Sequence, residues 1–270
     1  MSSFFGIAGC SYICPLTNHD WNQCIPASMK RRDPRIWHLA YSAAHKVITD
    51  TKINPKSIIT GTALGALDET KNFLDTVYDT GFGNPRYFIA SVHNSMAGKI
   101  ALEFKSDGPN ITVCEGQNSL ASSVCILDSL NDTDFPVLMI LVDEHIELLD
   151  KLYPAFSPAC KKFLKPDWSD GAVAMILTKD ISQSHTLIRA IPPVICNGSP
   201  DAALNCLSET HIHDYCGSIS LVNDSSSYLQ PSIRCYEFLN DSSLKRTVIG
   251  SFAPASDSVA LVELMKKDPI

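Results

Sequence analysis

The sequence contains few charged residues and no long basic tract. Charged residues make up 19% of its 270 residues, and the formal net charge is −7. Because nucleic-acid binding needs a basic surface that neutralises phosphates, this composition argues against nucleic acid as a partner. No apolar run approaches the roughly 20 residues of a membrane-spanning helix, and the amino terminus lacks the basic segment and apolar core of a signal peptide. We therefore expect a cytoplasmic protein without a membrane span.

The cysteines form no metal-ligand pattern. Ten are scattered along the chain without a Cys-x-x-Cys pair, which is typical of free thiols in a reducing compartment. Zinc at His211, His213 and Cys216, which lie close together, is the alternative. A loop with scattered histidine and cysteine is the favoured interpretation, and we expect neither a metal nor a cofactor.

Strand and helix patterns alternate through residues 1–180 and are less regular in residues 181–270. The 45% of hydrophobic residues suffices for a sizeable core, and the alternation predicts an α/β fold. We expect one structural domain, in which the shorter second half packs on the core of the first. The predicted elements are strands over Phe4–Ile13, Ser57–Gly65, Pro136–Val142 and Asp170–Leu177, helices over Ile36–Asp50 and Asp68–Asp79, a strand pair over Ser182–Val194, and an Ala/Val helix that ends near Lys267.

Two clusters of charged residues each allow a structural and a functional interpretation. Lys30, Arg31 and Arg32 precede a helix that we expect Asp33 to cap. A solvated helix start is favoured there over a patch for an acidic carrier protein. The acidic residues Asp143, Glu144 and Glu147 follow a buried apolar strand, and a solvated strand end is favoured over a carboxylate site.

The segment from Gly108 to Leu130 organises the rest of the chain. A β-branched strand, a tight corner at Gly116 and a helix from Ser119 follow one another, and this is how a nucleophile is usually presented to a helix N-terminus. The corner residue is Gln117, whose amide only donates and accepts hydrogen bonds. The nearest thiol, Cys114, lies inside the strand, away from the helix N-terminus that lowers a thiol pKa. An enzyme that uses Cys114 is therefore the least favoured hypothesis.

This segment resembles the active-site segment of β-ketoacyl synthases, the condensing enzymes of fatty acid and polyketide synthesis. Gln117 falls where their nucleophilic cysteine stands, as in the chain-length-factor subunits of polyketide synthases. The Gly61–Gly65 corner and the segment from Asn84 to Ala101 are similar to further elements of that family. The resemblance implies a thiolase-like, layered αβαβα fold with a shortened second half.

The resemblance also implies that the catalytic residues are replaced together. Arg246 and Ser251 stand for the lysine and the histidine of the family's Lys-x-x-x-Gly-His motif. Asn223 stands for the other histidine. Together with Gln117, these replacements make four, and the resemblance therefore implies that no intact catalytic set remains. The shortened second half is similar to the small ketosynthase-like proteins of aryl-polyene pathways.

A pseudoenzyme subunit is the function that the resemblance implies. Family members pair through the strand before the nucleophile, here Ile111, Thr112 and Val113. We expect a heterodimer with an active ketosynthase in acyl-carrier-dependent fatty acid or polyene chain elongation. The expected contacts are a tunnel lined by Phe88, Met96 and Leu120, for which core packing stays an equal alternative, and an acyl-carrier-protein contact at Lys30, Arg31 and Arg32.

Two other classes of function stay open. One is a malonyl-carrier decarboxylase with glutamine in place of cysteine, although such enzymes keep the histidines. The other is a homo-oligomeric protein that binds acyl chains or acts as a scaffold.

Overall fold

The computed structural model describes most of the chain. It covers residues 3–29, 33–155, 170–197, 199–212, 220–222, 229–253 and 256–267, with only the backbone for 208–211 and 220–222. No helix within these ranges is both long and apolar enough to cross a membrane.

The first part of the chain alternates strands and helices, as predicted. The apolar run Val137–Asp143 is a strand buried along its whole length, which agrees with the continuous apolar pattern of a strand covered on both faces. The elements are β1 (Phe5–Ile13), α1 (Arg35–Thr51), β2 (Ser57–Thr62), α2 (Leu67–Thr80), α3 (Pro85–Ser91), α4 (His93–Phe104), β3 (Asn110–Cys114), α5 (Ser119–Ile126), β4 (Val137–Asp143), α6 (Glu147–Leu152) and β5 (Gly171–Thr178).

The second part repeats this arrangement in a shorter form. Its described elements are β6 (Thr186–Ile195), α7 (Pro200–His211), β7 (Ser220–Val222), α8 (Gln230–Asn240), β8 (Arg246–Ala253) and β9 (Ser258–Lys266).

The strands of the described ranges form one sheet in which a strand order occurs twice. The order is β3-β2-β4-β5-β1-β6-β9-β8-β7. In the first half, β2 runs parallel to β4, and β5 runs antiparallel to both β4 and β1. In the second half, β7 runs parallel to β8, and β9 runs antiparallel to both β8 and β6. Within the described residues, the second half therefore repeats the first without a counterpart of β3.

The helices complete five layers around the two half-sheets. Helices α1 and α4 cover the outer face of the first half, and α7 covers the outer face of the second. Between the halves lie α5 and α8, whose apolar side chains share one core cluster with strands from both halves. This arrangement confirms the predicted layered α/β fold.

Two predicted elements in the second half are wrong. Residues Ser182–Val194 do not form a strand pair, because a single strand, β6, begins at Thr186. The predicted Ala/Val helix is strand β9, whose residues from Ser258 to Leu264 are all buried. A continuous apolar run buried on both faces has no alternation, so periodicity alone does not separate a strand from a helix there.

One predicted detail of the first half is also wrong. Asp33 does not cap α1, because the helix begins at Arg35 and its N-cap is Pro34, without a side-chain cap bond. A further helix precedes α4. Residues Pro85–Ser91 form helix α3, which is capped by the Asn84 side chain through a 2.9 Å hydrogen bond from Arg86 N.

A buried carboxylate holds the last three long strands together. Glu263 on β9 is 2% exposed and accepts from Arg189 Nε at 2.6 Å and from Arg246 Nε at 2.7 Å. Removal of one member of such a group leaves buried charge without compensation, which is more costly than loss of an exposed ion pair.

Glu263→Ala should lower the free energy of unfolding by about 3–5 kcal/mol, because two partly buried guanidinium groups lose their shared carboxylate. Glu237, which pairs with Arg234 on the surface of α8, provides the matched control. Glu237→Ala should cost less than about 1 kcal/mol. Urea denaturation of both variants measures the difference, and equal losses would contradict a structural role for the buried group.

Candidate functional site

The corner after β3 is built as the sequence predicts. Strand β3 ends at Cys114, residues Gly116–Asn118 form one 3-10 turn, and α5 begins at Ser119. Gly116 has φ +58°, which a side chain would strain, whereas a Cβ there would meet only Ala253 Cβ at 3.8 Å. Glycine is therefore required here because of the positive φ, although there is room for a side chain.

The corner places Gln117 against the second half of the chain. Its side chain is 8% exposed, and the turn that carries it packs against β8 and β9. The residue expected at the nucleophile's position is thus a buried amide.

The neighbouring residue Asn118 links the corner to both of these strands. Its side chain is fully buried, and its amide nitrogen donates to the carbonyl oxygen and to Oγ of Ser258, both at 3.0 Å. Its amide oxygen accepts from Ser251 Oγ at 2.7 Å, and Ser258 Oγ lies 2.6 Å from Ser256 Oγ. We call Asn118, Ser251, Ser256 and Ser258 the corner network. Sequence reasoning missed Asn118 and Ser258, the latter because it was assigned to the predicted Ala/Val helix.

The structure brings Ser251 to the corner but not Arg246. Both lie on β8, five residues apart, so they are separated by roughly 16 Å along the strand. Ser251 is 3% exposed and bonded to Asn118, whereas Arg246 pairs with Glu263. Asn223 lies outside the described residues, as do the basic residues 30–32 and two members of the alternative zinc set, His213 and Cys216.

The two thiols nearest the corner are not activated. Cys114 is exposed, and its Sγ donates to Ala63 O at 3.3 Å. Although the residue is exposed, its thiol is partly desolvated, and this desolvation, reinforced by the carboxylates of Asp143 and Glu115, raises the thiol pKa. Burial also raises the pKa of Cys125 to about 11. Since the thiolate is the nucleophilic form, the geometry gives no support to an enzyme that uses Cys114.

A buried carboxylate fixes the loop that follows β2. Asp143, which is 5% exposed, accepts from Thr62 Oγ1 at 2.8 Å and from the backbone N–H groups of Ala63 and Leu64 at 2.9–3.0 Å. Ser119 Oγ donates to Thr62 O at 2.8 Å. The end of β2 is therefore held both by β4 and by the first residue of α5.

The predicted solvated strand end after β4 is wrong. Glu144 is 6% exposed. Burial raises its pKa to about 8, against the effect of Arg35 and with reinforcement from Asp68, Asp170 and Glu69. Burial likewise raises the pKa of Asp143 to about 6, although its hydrogen bonds act in the opposite direction. A charged pair that follows an apolar strand in the sequence is therefore buried in the fold. The charged groups that act on Glu144 are Arg35 on α1, Asp68 and Glu69 on α2, and Asp170 before β5.

The three predicted tunnel residues do not meet in one place. Met96 and Leu120 are 3% and 1% exposed and belong to core clusters on opposite faces of the first half-sheet. Phe88 is 55% exposed on α3, where its ring contacts Phe73 at a centroid distance of 5.5 Å. His93 packs against Gly65, where a Cβ would lie 2.4 Å from its Nε2. A packing role accounts for His93 at this position.

The corner network consists of amide and hydroxyl groups. Such groups position neighbours by hydrogen bonding, and they neither hold nor release a proton near neutral pH. Within the described ranges, no group of three or more His, Cys, Asp or Glu side chains is arranged to bind a metal ion. The arrangement thus preserves the shape of a nucleophile corner with side chains that orient each other.

The comparisons with known proteins agree with this geometry. The family described as "Beta-ketoacyl synthase, N-terminal domain" matches residues 14–213. Among curated proteins, none matches the chain in sequence.

Three solved structures share the fold over nearly the whole chain. The ishigamide ketosynthase/chain length factor has a TM-score of 0.77 at 12% identity and covers 98% of this chain and 100% of its own. The ketosynthase ApeO in complex with its chain length factor ApeC, from Xenorhabdus doucetiae, has a TM-score of 0.64 at 14% identity, with coverage of 98% and 100%. AntDE:AntF, a type II PKS acyl-carrier protein in complex with its ketosynthase, has a TM-score of 0.75 at 10% identity, with coverage of 99% and 100%.

The fold is that of the ketosynthases among these solved structures. The chain belongs to the β-ketoacyl synthase family, and residues 14–213 correspond to its N-terminal domain. The resemblance stated from the sequence is confirmed.

Asn118→Ala should lower the free energy of unfolding by about 2–4 kcal/mol. The buried Ser251 hydroxyl loses its acceptor, Ser258 loses both bonds from the amide nitrogen, and each unsatisfied group costs about 1–3 kcal/mol. Asn240 on the surface of α8, which donates to Tyr236 O at 2.8 Å, is the matched control, and Asn240→Ala should cost under about 1 kcal/mol. Chemical denaturation compares the two variants. A loss for Asn118→Ala no larger than the control would show that the network does not support the fold.

Glu144→Gln should remove a pH dependence of stability between about pH 6 and pH 8. Because the folded-state pKa of Glu144 lies above its ordinary value, the folded chain binds more protons, and the free energy of unfolding falls as pH rises to about 8. The slope is at most about 1.4 kcal/mol per pH unit. Asp143 has a pKa of about 6, so its contribution to the pH dependence of stability ends near pH 6, the lower limit of this window.

Denaturation at a series of pH values measures this slope. The exposed residue Glu147 serves as the control, since Glu147→Gln should leave the slope unchanged. An unchanged slope in Glu144→Gln would exclude Glu144 as its origin.

Proposed function

We propose that this chain is a non-catalytic subunit of the chain-length-factor type that pairs with an active β-ketoacyl synthase. The observation that carries the proposal is the corner itself. Gln117 lies at the position proposed for the nucleophile, and Ser251, at the position proposed for a catalytic histidine, is bonded to the amide of Asn118. The packing of a catalytic corner is kept while a nucleophile and a base are replaced at these two positions.

The edge strand β3 is the proposed pairing element. Its one neighbour among the described strands is β2, so its other edge is available for a further strand. Ile111 and Thr112 are half-buried, and Val113 is buried. An edge with β-branched residues readily adds a strand from another chain, and we propose that the active synthase supplies it.

The structural relatives support this choice of partner and pathway. Two of them are named as a ketosynthase with a chain length factor, and a third as an acyl-carrier protein in complex with its ketosynthase. We propose that this chain acts with a ketosynthase in carrier-dependent fatty acid or polyene elongation in the cytoplasm. The acyl carrier protein would contact Lys30, Arg31 and Arg32.

Further parts of the proposal concern the tunnel and the two halves. Phe88, Met96 and Leu120 remain proposed tunnel residues, although the burial of Met96 and Leu120 fits the alternative of core packing. Residues 1–180 and 181–270 are proposed as two halves of one structural domain. This division is supported by the pairing of Phe5–Ile7 on β1 with residues on β6.

Co-expression with an active β-ketoacyl synthase of the same organism should give a one-to-one complex with elongation activity. Gln117→Ala should leave that activity within about twofold of the parent, because an amide that supplies no nucleophile is dispensable for the partner's chemistry. Native mass determination and an elongation assay measure both results. Gln23→Ala, at an exposed residue of the β1–α1 loop, is the matched control.

Two outcomes would overturn the proposal. A stable homodimer that ignores the synthase would favour the homo-oligomeric acyl-binding alternative. Release of carbon dioxide from malonyl carrier by the isolated chain, abolished by Gln117→Ala, would favour the decarboxylase.

A further inference from the structure

A cavity of about 660 Å³ lies between the loop that follows β1 and the second half of α1. Its volume is within the range of about 300–1,000 Å³ that is usual for small-molecule sites. The lining residues come from segments 13–24 and 42–50, and none of them belongs to the corner network or to the edge strand β3. We call this space the loop cavity; it is separate from the candidate site.

The interior of the loop cavity is mostly apolar. Its most buried lining residues are Ile13 and Ser42, which are 6% and 1% exposed. The half-buried Cys24 lies against Ser42, with 3.5 Å between Sγ and Oγ. The half-buried indole ring of Trp21 also lines the space. An aliphatic side chain, a thiol and an indole ring suit the apolar body of a ligand.

The ring of Trp21 already attracts one cation outside the cavity. Arg35 Cζ lies 5.7 Å from the centroid of the ring, within the ~6 Å over which an aromatic face attracts a positive charge. The charge of Arg35 is balanced by two hydrogen bonds to Asp170, at 2.8 and 2.7 Å. Arg35 is not among the residues that line the cavity. A cation inside the cavity would therefore reach the indole ring without displacing Arg35.

The charged groups around the loop cavity favour a positive ligand. They are two carboxylates and one ammonium group, so the lining is net negative when its two histidines are neutral. No hydrogen bond or ion pair among the described residues involves the carboxylate of Asp20. The one ammonium group, that of Lys46, is already paired with Asp50 at 3.3 Å. The charged residues and histidines of the lining are His19, Asp20, His45, Lys46 and Asp50.

The end of α1 adds to this negative potential. The helix has 17 residues and ends at Thr51, and Thr49 and Asp50 line the cavity from its last turn. The carbonyl groups at the end of a helix act as about half an elementary negative charge, which favours cations. An anionic ligand would meet this helix end as well as the carboxylate of Asp20, so the loop cavity disfavours anions.

We propose that the loop cavity binds a small organic cation, an amine whose ammonium group pairs with Asp20 and whose apolar or aromatic body packs against Trp21 and Ile13. This inference goes beyond the proposed function and does not rest on it, because the cavity is formed by the isolated chain. A bare metal ion is a different class of ligand, and the described residues contain no cluster of side chains that could hold one.

Phenethylamine and 3-phenylpropionate test the proposal in the full-length chain. The two probes share a phenyl group and are similar in size, but they carry opposite charges at neutral pH. Phenethylamine should bind saturably with a dissociation constant of about 1 mM, which is a reasonable affinity for so small a ligand. The dissociation constant of 3-phenylpropionate should be at least tenfold higher, because its carboxylate meets Asp20 and the end of α1. Titration followed by backbone amide NMR gives both constants.

The same NMR spectra locate the bound probe. The amide resonances of residues 13–24 and 42–50 should shift, and those of residues 114–126 around the corner should not. Shifts concentrated at the corner would place the probe in the candidate site and overturn the inference.

Asp20→Asn tests the pairing of the ammonium group. Asp20 is exposed, so the variant should keep the melting temperature of the parent, and its dissociation constant for phenethylamine should rise at least fivefold. Asp79→Asn, at an exposed aspartate of α2, is the matched control and should change the constant less than twofold. Trp21→Leu should also raise the constant at least fivefold, because leucine keeps an apolar wall but has no aromatic face.

Three further results would each contradict the inference. They are an absence of saturable phenethylamine binding, equal binding of the two probes, and a constant that Asp20→Asn leaves unchanged. None of these results bears on pairing with a synthase, so the proposed function stands or falls by its own experiment.

Discussion

The buried amide of Asn118 is the contact on which the candidate site depends. It sits where the first half of the chain meets the second, and its hydrogen bonds reach both β8 and β9. Burying an amide is costly unless its donors and acceptor are paired, and here both donors and the oxygen have partners. These hydrogen bonds therefore hold the corner against the second half. They also determine where Gln117 and Ser251 lie relative to each other.

A second buried group, the carboxylate of Asp143, fixes the loop after β2 on the other side of the corner. A carboxylate removed from water is tolerated when several donors surround it, and the end of β2 supplies three of them. The same loop then leads into helices α2 and α3, which bury almost none of their side chains. The corner and these two helices thus meet at one short segment, Thr62–Gly65.

Much of the first half follows from the sequence because its patterns are local. Gly116 and the β-branched run before it specify the corner, and the apolar run of β4 specifies a buried strand. The wrong predictions concern residues whose local sequence pattern does not indicate their environment in the fold. The run from Val259 to Val262 is apolar on both faces, so only the neighbours β6 and β8 decide that it is a strand. Glu144 resembles a solvated strand end in the sequence, but the fold buries it. The corner network joins residues about 130 positions apart, which no local pattern reveals.

The difference between the two halves bears on how the proposed pair could form. The strand order repeats, yet within the described residues the second half has no counterpart of β3. Strand β3 has β2 as its one described neighbour, and an edge of this kind readily adds a strand from another chain. In the proposed complex, the partner would therefore pair with the first half, beside the corner that the first half carries.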